Sequence, residues 1–392
     1  MTFERAIMPL LKKTANTFPV TLLTGPRQSG KTTLLKQILS NYHYVTLESP
    51  DILLRLQEDP RGFLEGFPHL IIDEAQNYPP LFSYIQEYVD HSKQTQKFVL
   101  SGSQNFLLAE NISQTLAGRA AVLELLPLSY AEYMTYPKQK QPDLWDYLFH
   151  GSYPRPYHEK LDHELWYNSY IRTYLERDVR SLIHIRDLSR FQLFLKLCAG
   201  RHGQLLNLSS LSNECGISQT TASHWLNILE ASYIVFRLQP YYRNFNKRLV
   251  KTPKLYFYDT SIVCRLLGID SSEHLSIHAS RGAIFEGFML TEILKTYRAQ
   301  GKNAPLYFFR DQTGDEVDII IEKNDGLLAI ETKSSKTFVP DLLNSLKRWQ
   351  KISHQDAKNC WIIYGGKETL SHQEFSILSW RECLNFLKLL QL

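Results

Sequence analysis

The first 130 or so residues alternate short apolar runs with stretches of helical periodicity. Pro19 to Thr24 (PVTLLT), His43 to Glu48 (HYVTLE), His69 to Glu74 (HLIIDE), Lys97 to Ser103 (KFVLSGS) and Ala120 to Leu126 (AAVLELL) each read as a strand. Between most of them apolar residues recur at helical spacing. Short apolar strands with helices between them predict a parallel sheet covered on both faces. A polar break with two prolines, MTYPKQKQPDLW, ends this region. From Leu144 to about Cys198 the pattern is helical, and from about Leu275 mixed α/β character returns, ending in helical WRECLNFLKLL. The expected fold class is α/β, with segments at 1–135, 136–200, 201–272 and 273–392.

Composition narrows the class. A chain of 392 residues, 43% hydrophobic and 21% charged, supports two to four domains with real cores. The net charge of +4 is too small to argue for nucleic acid by itself, so any basic footprint must be local. Five scattered cysteines without a C-x-x-C pair suit a reducing cytoplasm better than a disulfide framework or a zinc site. There is no run of eighteen apolar residues, and the N-terminus lacks the features of a signal peptide. A soluble cytoplasmic protein with no membrane partner is expected.

The clearest chemistry follows the first strand. Gly25-Pro26-Arg27-Gln28-Ser29-Gly30-Lys31-Thr32 matches G-x-x-x-x-G-K-[ST], with a strand before it and a helix, beginning at Lys31 and Thr33, after it. Such a loop wraps its N–H groups around phosphate oxygens and aims a helix N-terminus at the same anion. Lys31 is expected on the β- and γ-phosphates, and Thr32 on Mg²⁺. In LIIDEAQ, Asp73 would complete the Mg²⁺ shell and Glu74 would act as general base on water. Ser101, Ser103 and Gln104 can sense the γ-phosphate or simply form a polar strand end. Arg119 is either an arginine finger, in cis or across a subunit interface, or a surface arginine. ATP is favoured over GTP because no guanine-reading element follows the acidic strand.

The middle of the chain carries a helix-turn-helix pattern. Leu208 to Cys215 and Gln219 to Glu230 read as helices around Gly216, with Ser218 as cap and Ala222, Trp225, Leu226 and Leu229 as the buried stripe. Gln219, Thr220, Ser223 and His224 would face outward, as residues that contact bases or phosphates do. Arg237, Arg243, Lys247, Arg248, Lys251 and Lys254 follow, interleaved with Tyr241, Tyr242 and Phe245. That is a basic, aromatic wing suited to a nucleic-acid backbone. The same layout also serves as an ATPase lid or a protein-docking surface.

A third constellation lies near the end. GDEVDIIIEKNDGLLAIETK reads as a hairpin in which Glu331 and Lys333, two apart, share one face. Asp318 starts the apolar run of the first strand, and Glu286 falls among Met289, Leu290, Ile293 and Tyr297 on the apolar side of the preceding helix. Thr291, Lys295 and Arg298 would form that helix's polar side. Glu286, Asp318 and Glu331 are then candidate ligands for a divalent metal, with Lys333 orienting water or stabilising phosphate charge. The competing reading is a buried Glu286–Lys333 salt bridge without catalysis. Glu316, Glu322 and Asp325 fit a solvated hairpin.

LLTGPRQSGKTTLLKQ, LIIDEAQ, SGSQNFLLAENISQTLAGRA, LPLSYAEY and YIRTYLERDVRSLIHIRD resemble a large group of prokaryotic proteins with an AAA-type P-loop ATPase domain and a C-terminal domain of unknown function. The C-terminal RGAIFEGFMLTEILK and FFRDQTGDEVDIIIE segments look like that family and are also similar to PD-(D/E)xK nucleases. The resemblance implies an ATPase core, a winged-helix middle and a nuclease-like end. The expected activity is Mg²⁺-dependent ATP hydrolysis coupled to nucleic-acid binding, with DNA favoured over RNA and a homo-oligomer allowed. The alternative is an ATP-driven switch or protein-directed ATPase whose C-terminal domain only binds a partner.

Overall fold

The structure, a computed structural model, describes residues 3–91, 96–103, 115–137, 140–174, 187–242, 250–370, 372 and 374–382. Five strands, β1 (Val20–Thr24), β2 (His43–Thr46), β3 (His69–Asp73), β4 (Lys97–Gly102) and β5 (Ala120–Glu124), form one sheet in the order β2-β3-β4-β1-β5. All pairings are parallel, as the apolar runs predict. Successive strand residues serve opposite faces. Val20, Leu22, Leu70, Ile72, Phe98 and Leu100 pack with the helices Pro50–Glu58, Pro60–Glu65 and Leu81–His91. Leu23, Ile71, Val99 and Leu123 pack on the other face with Met8–Thr17 and Lys31–Ile38.

The two helices of the middle region stand where the sequence places them. Leu208–Cys215 ends at Gly216 (φ 62°), and Ser218 accepts from the Thr221 N–H to start Gln219–Ala231. Ala222, Trp225, Leu226 and Leu229 are buried. The strands β6 (Gln204–Leu205), β7 (Val235–Pro240) and β8 (Lys254–Phe257) pair antiparallel around them.

The C-terminal strands β9 (Leu306–Arg310), β10 (Glu316–Lys323), β11 (Gly326–Lys333), β12 (Cys360–Tyr364) and β13 (Ser376–Ser379) do not form a separate sheet. β7 pairs parallel with β9, setting Gln239 beside Tyr307 and Pro240 beside Phe308. The result is one eight-stranded sheet, β13-β12-β11-β10-β9-β7-β8-β6, which crosses the expected boundary at 272/273. Trp145, Phe191, Trp225, Ile319, Ile330 and Ile363 accordingly share one core.

The long helix Arg281–Ala299 corrects the expectation of a polar side. Thr291 and Lys295 are buried along with the apolar stripe, because the helix is packed all round. Lys295 donates from Nζ to Glu292 Oε1 at 3.0 Å and to the Leu128 carbonyl at 2.8 Å. Glu292 Oε2 accepts from the Tyr130 N–H at 2.7 Å. Near the helix end, Arg298 pairs with Glu124 of β5 at 2.9 Å. Its polar residues thus fasten the helix to the edge of the first sheet.

Candidate functional site

The first site lies at the C-terminal ends of the parallel strands, where open α/β sheets bind ligands. The phosphate-type loop leaves β1 at Gly25 (φ 144°), where a Cβ would stand 2.1 Å from the Leu125 carbonyl oxygen. Gly30 (φ 96°) turns the chain into the helix Lys31–Ile38. Lys31 is buried, and its ammonium donates to the Gly25 and Pro26 carbonyls, both at 2.9 Å. Burial lowers its pKa to about 8, against the opposing pull of Glu74 and Asp73.

β3 lies two strands from β1, and its end brings Asp73 to the loop. Asp73 Oδ2 accepts from the Thr32 hydroxyl at 2.6 Å and the Tyr44 hydroxyl at 2.8 Å, while Oδ1 accepts from Ser101. Glu74 follows in the left-handed region (φ 55°), and its Oε2 accepts from Gln76 and, at 3.3 Å, from Ser103. Gln104 lies outside the described residues. A cavity of 450 Å³ opens here, lined among others by Arg27, Gln28, Lys31, Thr32, Thr33 and Glu74. A hydroxyl, two carboxylates and an ammonium at one strand edge are an oxygen-rich donor set that fits a nucleotide with its Mg²⁺.

Neighbouring elements hold the loop. Arg5 donates to the Ser29 carbonyl at 2.8 Å and the Leu126 carbonyl at 2.6 Å. Tyr170 donates to the Arg27 carbonyl at 3.3 Å, and Thr24 shares a 2.8 Å hydrogen bond with the Tyr233 hydroxyl of the middle region. Sequence reasoning missed Arg5, Tyr44 and Tyr233, since none belongs to a motif.

Arg119 is the correction at this site. In register Val20 stands beside Ala120, so Arg119 lies at the opposite end of the sheet from Gly25. Its guanidinium is paired with Asp90, at 2.8 Å from Nη2 to Oδ2. It is not a finger for its own chain's loop.

The second site gathers the C-terminal carboxylates. Glu286 pairs with Lys254 of β8 at 2.8 Å, not with Lys333, and also accepts from Tyr256. Lys254 reaches Glu316 as well, at 2.6 Å, and Arg310 completes that carboxylate at 2.9 Å. Glu316 is therefore part of the cluster and not a solvated hairpin residue. Asp318 Oδ2 accepts from the Thr332 N–H and hydroxyl, each at 2.8 Å, and Lys333 stands 3.4 Å from Glu331.

Electrostatics couple these groups. Burial, reinforced by Asp318, raises the Glu286 carboxyl to about 7 despite Lys254 and Tyr256. Burial and then Asp318 push Glu331 well above the carboxylate range, with Lys333 and Ser345 opposing. Burial disfavours the Lys333 ammonium, but Glu331, Asp318 and Glu286 more than offset it and raise its pKa. Among the described residues no group of three or more His, Cys, Asp or Glu side chains is arranged to hold a metal ion. Glu286, Asp318 and Glu331 share a neighbourhood, but in this arrangement they do not fit a metal.

The basic wing is thinner than its sequence suggests. Arg237 is bound to Glu230 at 2.8 Å and to Asn227 at 3.2 Å, and Lys254 is buried. Arg243, Phe245, Lys247 and Arg248 lie outside the described residues. On the helix Gln219–Ala231, Gln219, Thr220 and His224 are exposed and Ser223 is half-buried.

Comparison with known proteins matches three segments of the chain. Residues 17–134 match the AAA domain, residues 141–273 a domain of unknown function (DUF8612), and residues 281–383 a second one (DUF4143). An uncharacterized protein of Mycobacterium tuberculosis is 32% identical over 342 residues, covering 86% of this chain and 75% of its own. An uncharacterized protein of Mycobacterium bovis matches to the same extent. The chain belongs to their family. An uncharacterized protein of Methanocaldococcus jannaschii is 20% identical over 335 residues, or 77% of this chain and 72% of its own. Among solved structures, a Walker-type ATPase of Pyrococcus abyssi aligns at 15% identity and a TM-score of 0.46, covering 67% of this chain and 95% of that one. No described helix of this family member is long and apolar enough to cross a membrane.

Proposed function

We propose that this AAA protein binds and hydrolyses ATP at the phosphate loop. The observation that carries the reading is the convergence of Lys31, Thr32, Asp73 and Glu74 on one strand edge, beside a cavity of 450 Å³. Lys31 would exchange the Gly25 and Pro26 carbonyls for phosphate oxygens, neutralising charge on the transferred group. Thr32 and Asp73 would hold Mg²⁺, which supplies further charge neutralisation on the phosphates. Glu74 would take the proton of the attacking water as its oxygen bonds to the γ-phosphorus and the bond to the ADP oxygen breaks. Ser103, at 3.3 Å from Glu74, would orient that carboxylate.

The nucleotide state would reach the rest of the chain through Thr24–Tyr233 and through the helix Arg281–Ala299, which touches the first sheet near one end and bears Glu286 near the other. No cleavage step is assigned to Glu286, Asp318, Glu331 and Lys333, since their atoms are committed to one another and to Lys254, Tyr256 and Thr332. DNA contact is a second reading, supported by exposed Gln219, Thr220 and His224 on the capped helix.

The test is turnover by purified protein. Lys31→Ala should reduce ATP hydrolysis to background, and unchanged turnover would refute the site. For the second reading, binding to a DNA duplex should weaken steeply with salt. Salt-independent binding, or none, favours a protein-directed ATPase.

A further inference from the structure

The C-terminal cluster contains a cation that belongs to a different matched region. Glu316 and Asp318 lie on β10, whose register against β9 shifts between Val317 and Ile320, and Glu331 and Lys333 lie two apart on one face of β11. Glu286 approaches from the helix Arg281–Ala299, and Lys254 from β8. Lys254 arrives there through two successive pairings: β8 sets it beside Leu238 of β7, and β7 pairs with β9 of the C-terminal strands. Its side chain is 3% exposed, and its ammonium bridges Glu286 and Glu316.

Every carboxylate is engaged without a metal: Glu286 and Glu316 on Lys254, Glu316 also on Arg310, Glu331 on Lys333, and Asp318 on the Thr332 N–H and hydroxyl. An ammonium between two carboxylates takes the position and the oxygens that a hard divalent ion requires. Buried carboxylates left without a cation are costly, so removing Lys254 creates a demand for another.

We propose that Lys254 is the resident cation of this carboxylate cluster and excludes divalent ions from it for as long as β8 stays docked. The middle region then decides whether the C-terminal domain has a metal site at all. Nuclease-type chemistry at Glu286, Asp318 and Glu331 would require β8 to withdraw.

Mn²⁺ titration followed by the electron paramagnetic resonance of the free ion tests this without nucleotide. The full-length chain carries Asp73→Asn to silence the phosphate loop, so the outcome stands apart from whether the chain hydrolyses ATP. With Lys254 in place, no Mn²⁺ should be bound through Asp318. Adding Lys254→Met should tighten binding by about tenfold or more, as expected when buried ligands lose a competing cation. A further Asp318→Asn should remove that gain. Two results overturn the proposal: Mn²⁺ bound with Lys254 intact and lost in Asp318→Asn, or a folded Lys254→Met chain that binds no more than its parent. Should Lys254→Met fail to fold, the arm with Lys254 intact decides alone. There, Mn²⁺ binding that Asp318→Asn removes overturns the proposal, and its absence supports it.

Discussion

Replacing Lys295 by methionine tests how the ATPase sheet is fastened to the long C-terminal helix. The ammonium is almost fully buried, 3.0 Å from Glu292 Oε1 and 2.8 Å from the Leu128 carbonyl. Methionine preserves much of the volume but leaves Glu292 as a buried carboxylate held only by the Tyr130 N–H. Breaking a buried pair from one side costs about 3–5 kcal/mol. Burial already raises the Glu292 carboxyl, and Lys295 is the main group opposing this. In the variant the folded acid moves further above its unfolded value, so the deficit should grow as pH rises through the wild-type folded value, itself above the ordinary carboxylate range, and shrink below it. Urea denaturation followed by tryptophan fluorescence at pH 5 and pH 8 measures both quantities. The added change Glu292→Gln should recover part of the loss at pH 8, because the amide oxygen still accepts from Tyr130 and carries no charge. A deficit under about 1 kcal/mol, or one independent of pH, would refute the reasoning, since a buried pair must exceed what exposed pairs contribute.

Three other outcomes follow from the geometry. Arg119→Ala should leave ATP turnover per chain unchanged, because its guanidinium sits on Asp90 at the far edge of the sheet; a collapse of turnover would mean that it acts on a neighbouring copy. Tyr233→Phe removes the hydroxyl bonded to Thr24 and should cost about 0.5–1.5 kcal/mol, read as a lower urea midpoint. His202 is buried with its ring accepting from the Phe257 N–H, and desolvation lowers its pKa to about 3. Its stabilising contribution is present above about 6.5, the unfolded value, and is lost as pH falls towards 3, because the unfolded chain then takes up a proton that the fold refuses. The pH dependence of wild-type stability should therefore be steeper between pH 6.5 and 4.5 than that of His202→Gln; equal slopes would contradict it.

The parallel sheet was legible because buried strands read as continuous apolar runs, and the phosphate loop because its glycines carry a backbone requirement. The helix pair in the middle was equally plain from Ser218, Gly216 and the spacing of Trp225. The partner of Glu286 was not. Lys254 opens the run KLYF and counts, in one dimension, as another basic wing residue. Only the pairing of β7 with β9, a contact between distant segments, turns it inward. The buried side of the helix Arg281–Ala299 was hidden for a similar reason: Thr291 and Lys295 look polar until a second sheet covers them. Arg119 stayed open between a finger and a surface arginine because the run LAGRAAV does not say which end of the sheet it occupies.

The strand pairing between β7 and β9 bears on how this chain can be divided. The boundary between its two matched domains of unknown function, near residue 273, runs through a hydrogen-bonded ladder. A fragment beginning there would bare the β9 edge, and exposed edges recruit other chains. It would also strand Glu286 and Glu316 without Lys254. In folding terms the two regions are one unit, and a cut between them disrupts both.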